Sequence, residues 1–447
     1  MSELARTIGL RSATVLVVSV IVGSGVFKKI APMAAELGSP GWVLGCWVLA
    51  GLVSLAGALS NAEMAGMFPQ SGGEYVYYQP VYGRLFAFLY GWGSFTVTKT
   101  ATIAALAHVF AQSLRTLLPL PDWASVPVIA SGLIIGLSVL NYRGVQIAER
   151  VSRLLTYSMV VIIVGLIMAG ITARTGSLAN LTTPARGVVS PAGSSLVNAL
   201  LVASLGAFWG YEGWNNIGFI GDEIKQPQRN LPRALIAGTL VVIGLYVGLN
   251  AMYLYVLPVD ALARLNTLPD SIAAVEVVRP FGGAAGAGLV SGLILLTTFN
   301  STNSSILLSA RIFYAMARDG LFFRSAAVVH PRFRTPAVAI GLQGVWSVLL
   351  VWSGSFDQLT DRLVVTSFVF YGATALGVVR LRRTQPDRPR TYRVVGYPVV
   401  PLLFAGFCGL LVIVTAIHEP VQALTGLGLV ATGLPFYALW HRRAANR

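Results

Sequence analysis

Charge is what this 447-residue sequence has least of: 11% of its residues are Asp, Glu, Lys or Arg, against 55% apolar. A soluble domain keeps about a quarter of its residues charged, so an ordinary soluble globular protein is excluded. Acid is scarcer than base, 17 residues against 32, and the formal net charge of +15 would point to nucleic acid in a soluble chain. With a mean hydropathy of +0.71 it marks basic loops on one side of a membrane instead, and no nucleic-acid binding is expected. Cysteine is limited to Cys46 and Cys408, both inside apolar runs, which leaves no disulfide framework, metal site or redox chemistry. HExxH, GxSxG, a phosphate loop and carboxylates paired at helical spacing are all missing. Neither an enzyme nor an ATP-driven pump can be assembled, and no cofactor is expected. What abounds is long apolar runs and glycine, 47 residues of it.

A bilayer-crossing helix needs about 20 mostly apolar residues. Runs of that kind predict an all-α membrane protein with twelve transmembrane helices, at 12–34, 41–66, 84–117, 124–141, 150–173, 192–220, 232–257, 280–317, 336–353, 359–380, 397–417 and 421–440. Residues 1–447 read as one integral membrane domain, with no space for a separate soluble catalytic unit. Arg6 and Arg11 precede an apolar stretch without a small-residue cleavage pattern, so that stretch reads as span 1 rather than a signal peptide. An even count puts both termini on one side. With both cytoplasmic, 23 Lys and Arg fall inside and 8 outside, with Lys99 within span 3; the positive-inside rule favours that orientation in a cell (inner) membrane. Lys28 and Lys29, in the outer half of span 1, then need an aqueous vestibule or snorkelling.

Two spans carry glycine clusters at membrane depth, Ile21-Val22-Gly23-Ser24-Gly25 in span 1 and Gly206 to Trp214 in span 6. Glycines in membrane helices also serve close packing. Clusters at corresponding positions of two five-helix halves, however, are the pattern of interrupted helices in an inverted repeat. Unwound backbone frees N–H groups that suit a carboxylate and carbonyls that suit an ammonium, which together match a zwitterion. Phe208, Trp209, Tyr211 and Trp214 around the second break read as cavity lining and gate, or alternatively as packing. Glu212, ionisable at membrane depth, is a functional candidate by default, as a proton carrier, a support for the unwound stretch or a hydrogen-bonded structural carboxylate. Glu63 reads as structural, His108 as a satisfied buried histidine, and Gly282, Gly283, Gly286 and Gly288 as packing glycines.

The segments IVGSGVF, PQSGGEYVYY, GWNNIGFIGDEIKQPQRNLPRAL, SARIFYAMARDGLFF and RTYRVVGYPVVP follow one another in an order and spacing that resemble the amino acid-polyamine-organocation superfamily. Within it the resemblance is to the L-type amino acid transporter family and its bacterial serine/threonine-exchanger-like members. It implies a leucine-transporter-type fold of 5+5 inverted repeats, 12–173 and 192–380, with broken helices 1 and 6, peripheral helices at 397–440, and alternating access. It places the substrate carboxylate on Gly23, Ser24 and Gly25, and the ammonium on carbonyls of Ile21, Phe208 and Trp209.

Many L-type members carry a lysine in span 5 where others hold sodium; Met159 stands at that position here. Two substitutes compete: the Lys99 ammonium, or a sodium cage in which Ser304 and Ser305, with Ser301 and Thr302, join span 1 carbonyls. Those hydroxyls also suit plain interhelical hydrogen bonds. Gating and coupling fall to Lys99, Glu212, Trp214, Ser304 and Ser305. The function expected is secondary active transport of small or neutral L-amino acids, by exchange or ion-coupled import, because the cavity shows aromatics rather than paired charges. A cationic amino acid or polyamine carrier is the alternative, with Glu212 as its carboxylate. Animal L-type light chains join a heavy chain through a cysteine between spans 3 and 4, but 115–124 reads RTLLPLPDWA. A monomer or weak homo-oligomer in contact with lipid is expected, without a disulfide-linked heavy chain. The basic LRRTQPDRPRTYR loop reads as a topology determinant or, alternatively, a contact for anionic headgroups.

Overall fold

A computed structural model describes residues 4, 6–185, 193–268, 272–354, 356–418 and 420–445. Arg186 and Arg447 of the charge tally, and residue 192 at the start of the second expected repeat, lie outside the described residues. Those described are helical, and the β structure among them is one isolated bridge, Ile8 to Ile224. Helices α1 (Leu10–Ile21), α2 (Gly25–Lys28) and α3 (Ile30–Leu37) make the first apolar segment, followed by α4 (Pro40–Met67) and the short α5 (Glu74–Tyr82). Next come α6 (Arg84–Gly93), α7 (Lys99–Leu117), α8 (Val126–Tyr142) and α9 (Val145–Thr172). The second half holds α10 (Ser194–Tyr211), α11 (Pro227–Val256), α12 (Val259–Leu265), α13 (Ala273–Arg318), α14 (Ala337–Val351) and α15 (Phe356–Thr384). Helices α16 (Val399–His418), α17 (Pro420–Ala431) and α18 (Gly433–Ala445) close the chain.

Among the described residues, seven helical segments are long and apolar enough to cross a membrane, and α8 and α14 are shorter apolar helices. Burial ranks them. The Leu10–Lys28 segment is 78% buried, whereas α9, α16 and the Pro420–Trp440 segment are each 28% buried. The glycine-broken segment is therefore the hub, packed by α9, α11 and α13. Helix α9 turns Leu154, Val161 and Met168 outward, the arrangement expected of a lipid-facing helix. Both cysteines are buried and unpaired.

Several expected details change. Gly206 to Tyr211 are helical, and the second break lies at 212–215, where Gly213 takes φ +104° between α10 and a 3-10 helix over Asn216–Glu223. A left-handed backbone needs glycine, so Gly213 is the breaking residue and the preceding glycines pack. Gly283 also breaks its helix, at φ +57°, so the span 8 glycines are not all packing residues. The span 3 helix is interrupted by a π-helical turn over Ser94–Thr98, immediately before Lys99. Such bulges add a residue to one turn and re-aim the side chains after it.

Loops are pinned by charge. Glu63, fully buried in α4, accepts from Arg382 at 2.7 Å and from the Val394 N–H at 2.7 Å, with Arg390 at 3.2 Å. Two cations of the LRRTQPDRPRTYR loop thus hold it against α4, consistent with Glu63 as a structural carboxylate. His108 lies 3.0 Å from the Val351 carbonyl, a satisfied buried histidine. Lys28 reaches Gln112 at 3.3 Å, and the Lys29 stem runs along Gly206.

Candidate functional site

The site forms where the two interrupted segments face each other. Helix α1 stops at Ile21, Val22 leaves the helical region at ψ 87°, and the helix resumes at Gly25. The Gly23 N–H turns back to the Ile21 carbonyl at 2.8 Å, while those of Ser24 and Gly25 meet no backbone acceptor among the described residues. The buried Ser24 hydroxyl has no partner either. These are the orphan donors that a helix start offers an anion.

A cavity opens at this point, lined by Ile21, Gly23, Ser24 and Gly25 from the first segment and by Trp209, Glu212, Gly213 and Asn216 from the second. Lys99, Thr102 and Leu106 close it from α7, and Ser301 and Ser305 from α13. Only about 20 Å³ is open to the centre of a water molecule, so the space is narrow. Gly25 abuts Gly210 so tightly that an added Cβ would lie 2.6 Å from the Gly210 Cα. At the other end of the segment, Ile8 pairs with Glu223 and Lys225 through backbone bonds of 3.0 and 2.8 Å. The two segments thus touch on both sides of the cavity.

The charge in the cavity corrects the expectation of aromatics without paired charges. Lys99 Nζ donates to Asn216 Oδ1 at 2.8 Å and lies 3.5 Å from Glu212 Oε1, both side chains being largely buried. Tyr371 donates its hydroxyl to the same Glu212 oxygen at 2.5 Å. Behind them, buried Glu74 accepts from Asn215 at 2.5 Å, Asn61 at 2.7 Å and Tyr90 at 3.1 Å. Removing an ion from water costs several kcal/mol, roughly, so an ammonium and a carboxylate survive here because each has a partner.

The expected aromatics divide. Trp209 lines the cavity. Phe208 and Trp214 instead line a separate small cavity with Phe368, Tyr371 and Phe404, which Glu212 also borders. Tyr211 turns toward α4 and α11, donating to the Trp47 carbonyl at 3.2 Å and packing 5.0 Å from the Tyr246 ring. Successive helical side chains point about 100° apart, which parts Phe208 and Tyr211 from Trp209, and Trp214 lies beyond the helix in the break, so the side-chain roles expected of Phe208, Tyr211 and Trp214 do not fall in this cavity. Backbone acceptors are partly engaged: the Ile21 carbonyl takes the Tyr246 hydroxyl at 2.9 Å, and the Trp209 carbonyl takes the Glu212 N–H at 3.2 Å. With the Gly23 N–H at 2.8 Å as well, the Ile21 carbonyl already holds two donors, one for each lone pair.

Ser304 and Ser305 also diverge. Ser304 sits between Ser19 and Ser152, 2.8 Å from each hydroxyl, joining α1, α13 and α9. Ser305 faces the cavity with an orphan hydroxyl. Successive helical residues point about 100° apart, so the two do not converge on one cation. Ser301 donates to the Val20 carbonyl at 2.7 Å, and Met159 is fully buried. Sequence reasoning missed Tyr246, Tyr371, Asn216 and Glu74 as site residues. Asn216 and Glu74 lie inside segments that carried the resemblance, whereas the two tyrosines have no local signal.

The sequence matches the amino acid permease family over residues 8–437. The chain belongs to that family. It is 29% identical to the serine/threonine exchanger SteT of Bacillus subtilis (strain 168), over 99% of this chain and 98% of the relative. It is 28% identical to the human large neutral amino acids transporter small subunit 2, over 98% of this chain and 80% of the relative. It is 26% identical to the mouse b(0,+)-type amino acid transporter 1, over 98% of this chain and 88% of the relative. Within the permease family the relatives are named transporters and exchangers, and the apolar helices make this chain a multi-pass membrane protein.

Proposed function

We propose that this permease exchanges small or neutral L-amino acids across the cell membrane by alternating access. The observation that carries the reading is the cavity between the two broken segments, where Ser24 and Gly25, whose N–H groups meet no backbone acceptor among the described residues, line one space with Ile21 and Trp209. Twelve crossings, repeats over 12–173 and 192–380, and cytoplasmic termini complete the proposal. It is supported by the charge asymmetry and by helices lying under each expected span. In this reading the substrate carboxylate takes the donors of Ser24 and Gly25, and its ammonium takes the Phe208 and Trp209 carbonyls and, by displacing the Tyr246 hydroxyl, that of Ile21. Glu212 lines the cavity, as a cation carrier would require, but Lys99 beside it neutralises the carboxylate and favours neutral substrates.

Coupling follows from Ser304. Where the family resemblance assigns a lysine or sodium between spans 1 and 8, this chain has a hydroxyl relay, Ser19 to Ser304 to Ser152. A tie made of neutral hydrogen bonds needs no cation, so exchange should run without a sodium gradient. Residues 115–124 hold no cysteine, and the transporter is proposed to work without a disulfide-linked heavy chain. The test is uptake of labelled L-amino acids into proteoliposomes, empty or preloaded with unlabelled substrate. Uptake that requires internal substrate and ignores sodium is expected; absence of uptake for every amino acid refutes the reading.

A further inference from the structure

The geometry points to the Lys99–Glu212 pair as the selectivity element of the cavity, restricting transport to L-amino acids with small, uncharged, hydrogen-bonding side chains: hydroxyl or carboxamide. The inference rests on the proposed transport function and concerns the part of the cavity left after the substrate's carboxylate and ammonium are placed. That part is lined by Lys99, Thr102, Leu106, Asn216, Glu212 and Ser305.

Both signs of charge are present, side by side. A carboxylate side chain would enter beside Glu212 and an ammonium side chain beside Lys99, so either meets repulsion in a poorly solvated space. An apolar side chain fails for a different reason. An ammonium has three N–H bonds: Asn216 and Glu212 take two, and the Phe219 ring, 5.3 Å from Nζ, is a weaker third partner. The Ser305 hydroxyl is buried without a partner. A methyl or isobutyl group would leave Ser305 unpaired and give Lys99 no further acceptor, and a site built to hydrogen-bond its ligand discriminates strongly against one that cannot. A group that accepts from Lys99 and exchanges a hydrogen bond with Ser305 satisfies both.

Nothing in span 3 marks Lys99 as selective by sequence. Its aim depends on the π-helical turn that ends at Thr98, and on Asn216, which the second break carries into the cavity.

The test is the side-chain ranking of exchange in proteoliposomes, measured by competition against the best labelled substrate. Competitors are L-serine, L-threonine, L-asparagine, L-alanine, L-leucine, L-lysine and L-glutamate. The wild type is expected to prefer the hydroxyl and carboxamide side chains over L-leucine by at least about tenfold. Glu212→Gln leaves Lys99 unbalanced and should admit L-glutamate; Lys99→Met leaves Glu212 unbalanced and should admit L-lysine. The double variant removes both charges, guarding against a fold disrupted by one unpaired ion, and should raise L-leucine relative to L-serine. A wild type that transports amino acids but ranks L-leucine above L-serine overturns this inference and leaves the transport reading intact. So does an unchanged ranking in the double variant. A wild type inert to every amino acid overturns both.

Discussion

Replacing Gly25 by alanine tests whether the cavity is closed by backbone contact between the two broken segments. The family resemblance makes Gly25 part of the carboxylate cradle, in which case a larger residue would fill the binding space. The structure gives its side-chain direction another meaning: the added Cβ would point at α10, 2.6 Å from the Gly210 Cα and 3.1 Å from its N. Carbon atoms rest about 3.5–4 Å apart, so the segments must separate by about 1 Å. No flexible side chain can absorb this, because the opposing atoms are backbone, and overpacking of that kind costs about 1–3 kcal/mol. In the alternating-access reading the two segments part as the cavity opens, and the cost then falls on the closed conformation. A penalty of about 2 kcal/mol shifts the balance between closed and open forms roughly thirtyfold. Gly25→Ala should therefore slow exchange at saturating substrate by at least about tenfold while substrate still binds the open form.

Gly23→Ala is the control. Its Cβ would enter the cavity, 3.1 Å from the Leu106 Cδ2 and 3.5 Å from the Ser301 Oγ, where a side-chain end can yield. It should raise the half-saturating substrate concentration with little effect on maximal exchange. The assay is exchange kinetics in proteoliposomes at matched protein incorporation. Gly25→Ala with maximal exchange within twofold of wild type would refute the argument from backbone contact.

Further outcomes follow from the same contacts. Tyr246→Phe removes the hydroxyl that competes for the Ile21 carbonyl, 2.9 Å away, and should lower the half-saturating substrate concentration several-fold, the equivalent of a hydrogen bond of about 1 kcal/mol. Ser304→Ala breaks both hydroxyl contacts of the relay and should reduce exchange, yet sodium should not stimulate the wild type; stimulation by sodium would show that a cation occupies that region. Glu63→Gln weakens the hold of Arg382 and Arg390 on α4, and should lower thermal stability in detergent while leaving the substrate ranking unchanged.

The legibility of this protein was uneven, for physical reasons. Span positions could be read because hydrocarbon demands long uncharged runs, a requirement written residue by residue. The first break was legible because Gly23, Ser24 and Gly25 interrupt a β-branched run, and the structure frees the backbone there. The second was legible only as the range Gly206 to Trp214, because Gly206 and Gly210 are packing glycines and composition alone cannot separate them from Gly213, whose φ of +104° does the breaking. The aim of side chains was the least legible feature. Phe208, Trp209, Tyr211 and Trp214 are equally aromatic in sequence, yet helical rotation and the break before Trp214 leave Trp209 alone in the main cavity. Lys99 could be singled out as a charge at membrane depth, but its contact with Glu212 depends on a π-helical turn with no composition signal.

The innermost ion pair separates a structural role from a gating one. Arg311 and Glu223 are buried to within 1% and lie 2.8 Å apart, linking α13 to the 3-10 helix that follows the second break. Glu223 also holds the N-terminal segment, its carbonyl accepting from the Ile8 N–H at 3.0 Å. Any opening that swings α1 away on this side must break or carry that junction. Removing one partner strands a buried charge, so Arg311→Met should destabilise by about 3–5 kcal/mol whichever role the pair has. The informative variant is the double, Arg311→Met with Glu223→Leu, because exchanging both ions for apolar groups is often neutral or stabilising. If the pair only supports the fold, the double variant regains both thermal stability and wild-type exchange. A latch predicts otherwise: stability returns, but the balance between the closed and open forms stays shifted, and exchange kinetics remain altered. The Ile8 contact, which ties α1 to the carbonyl of the same residue that pairs with Arg311, favours the latch. Recovery of both properties in the double variant would refute it.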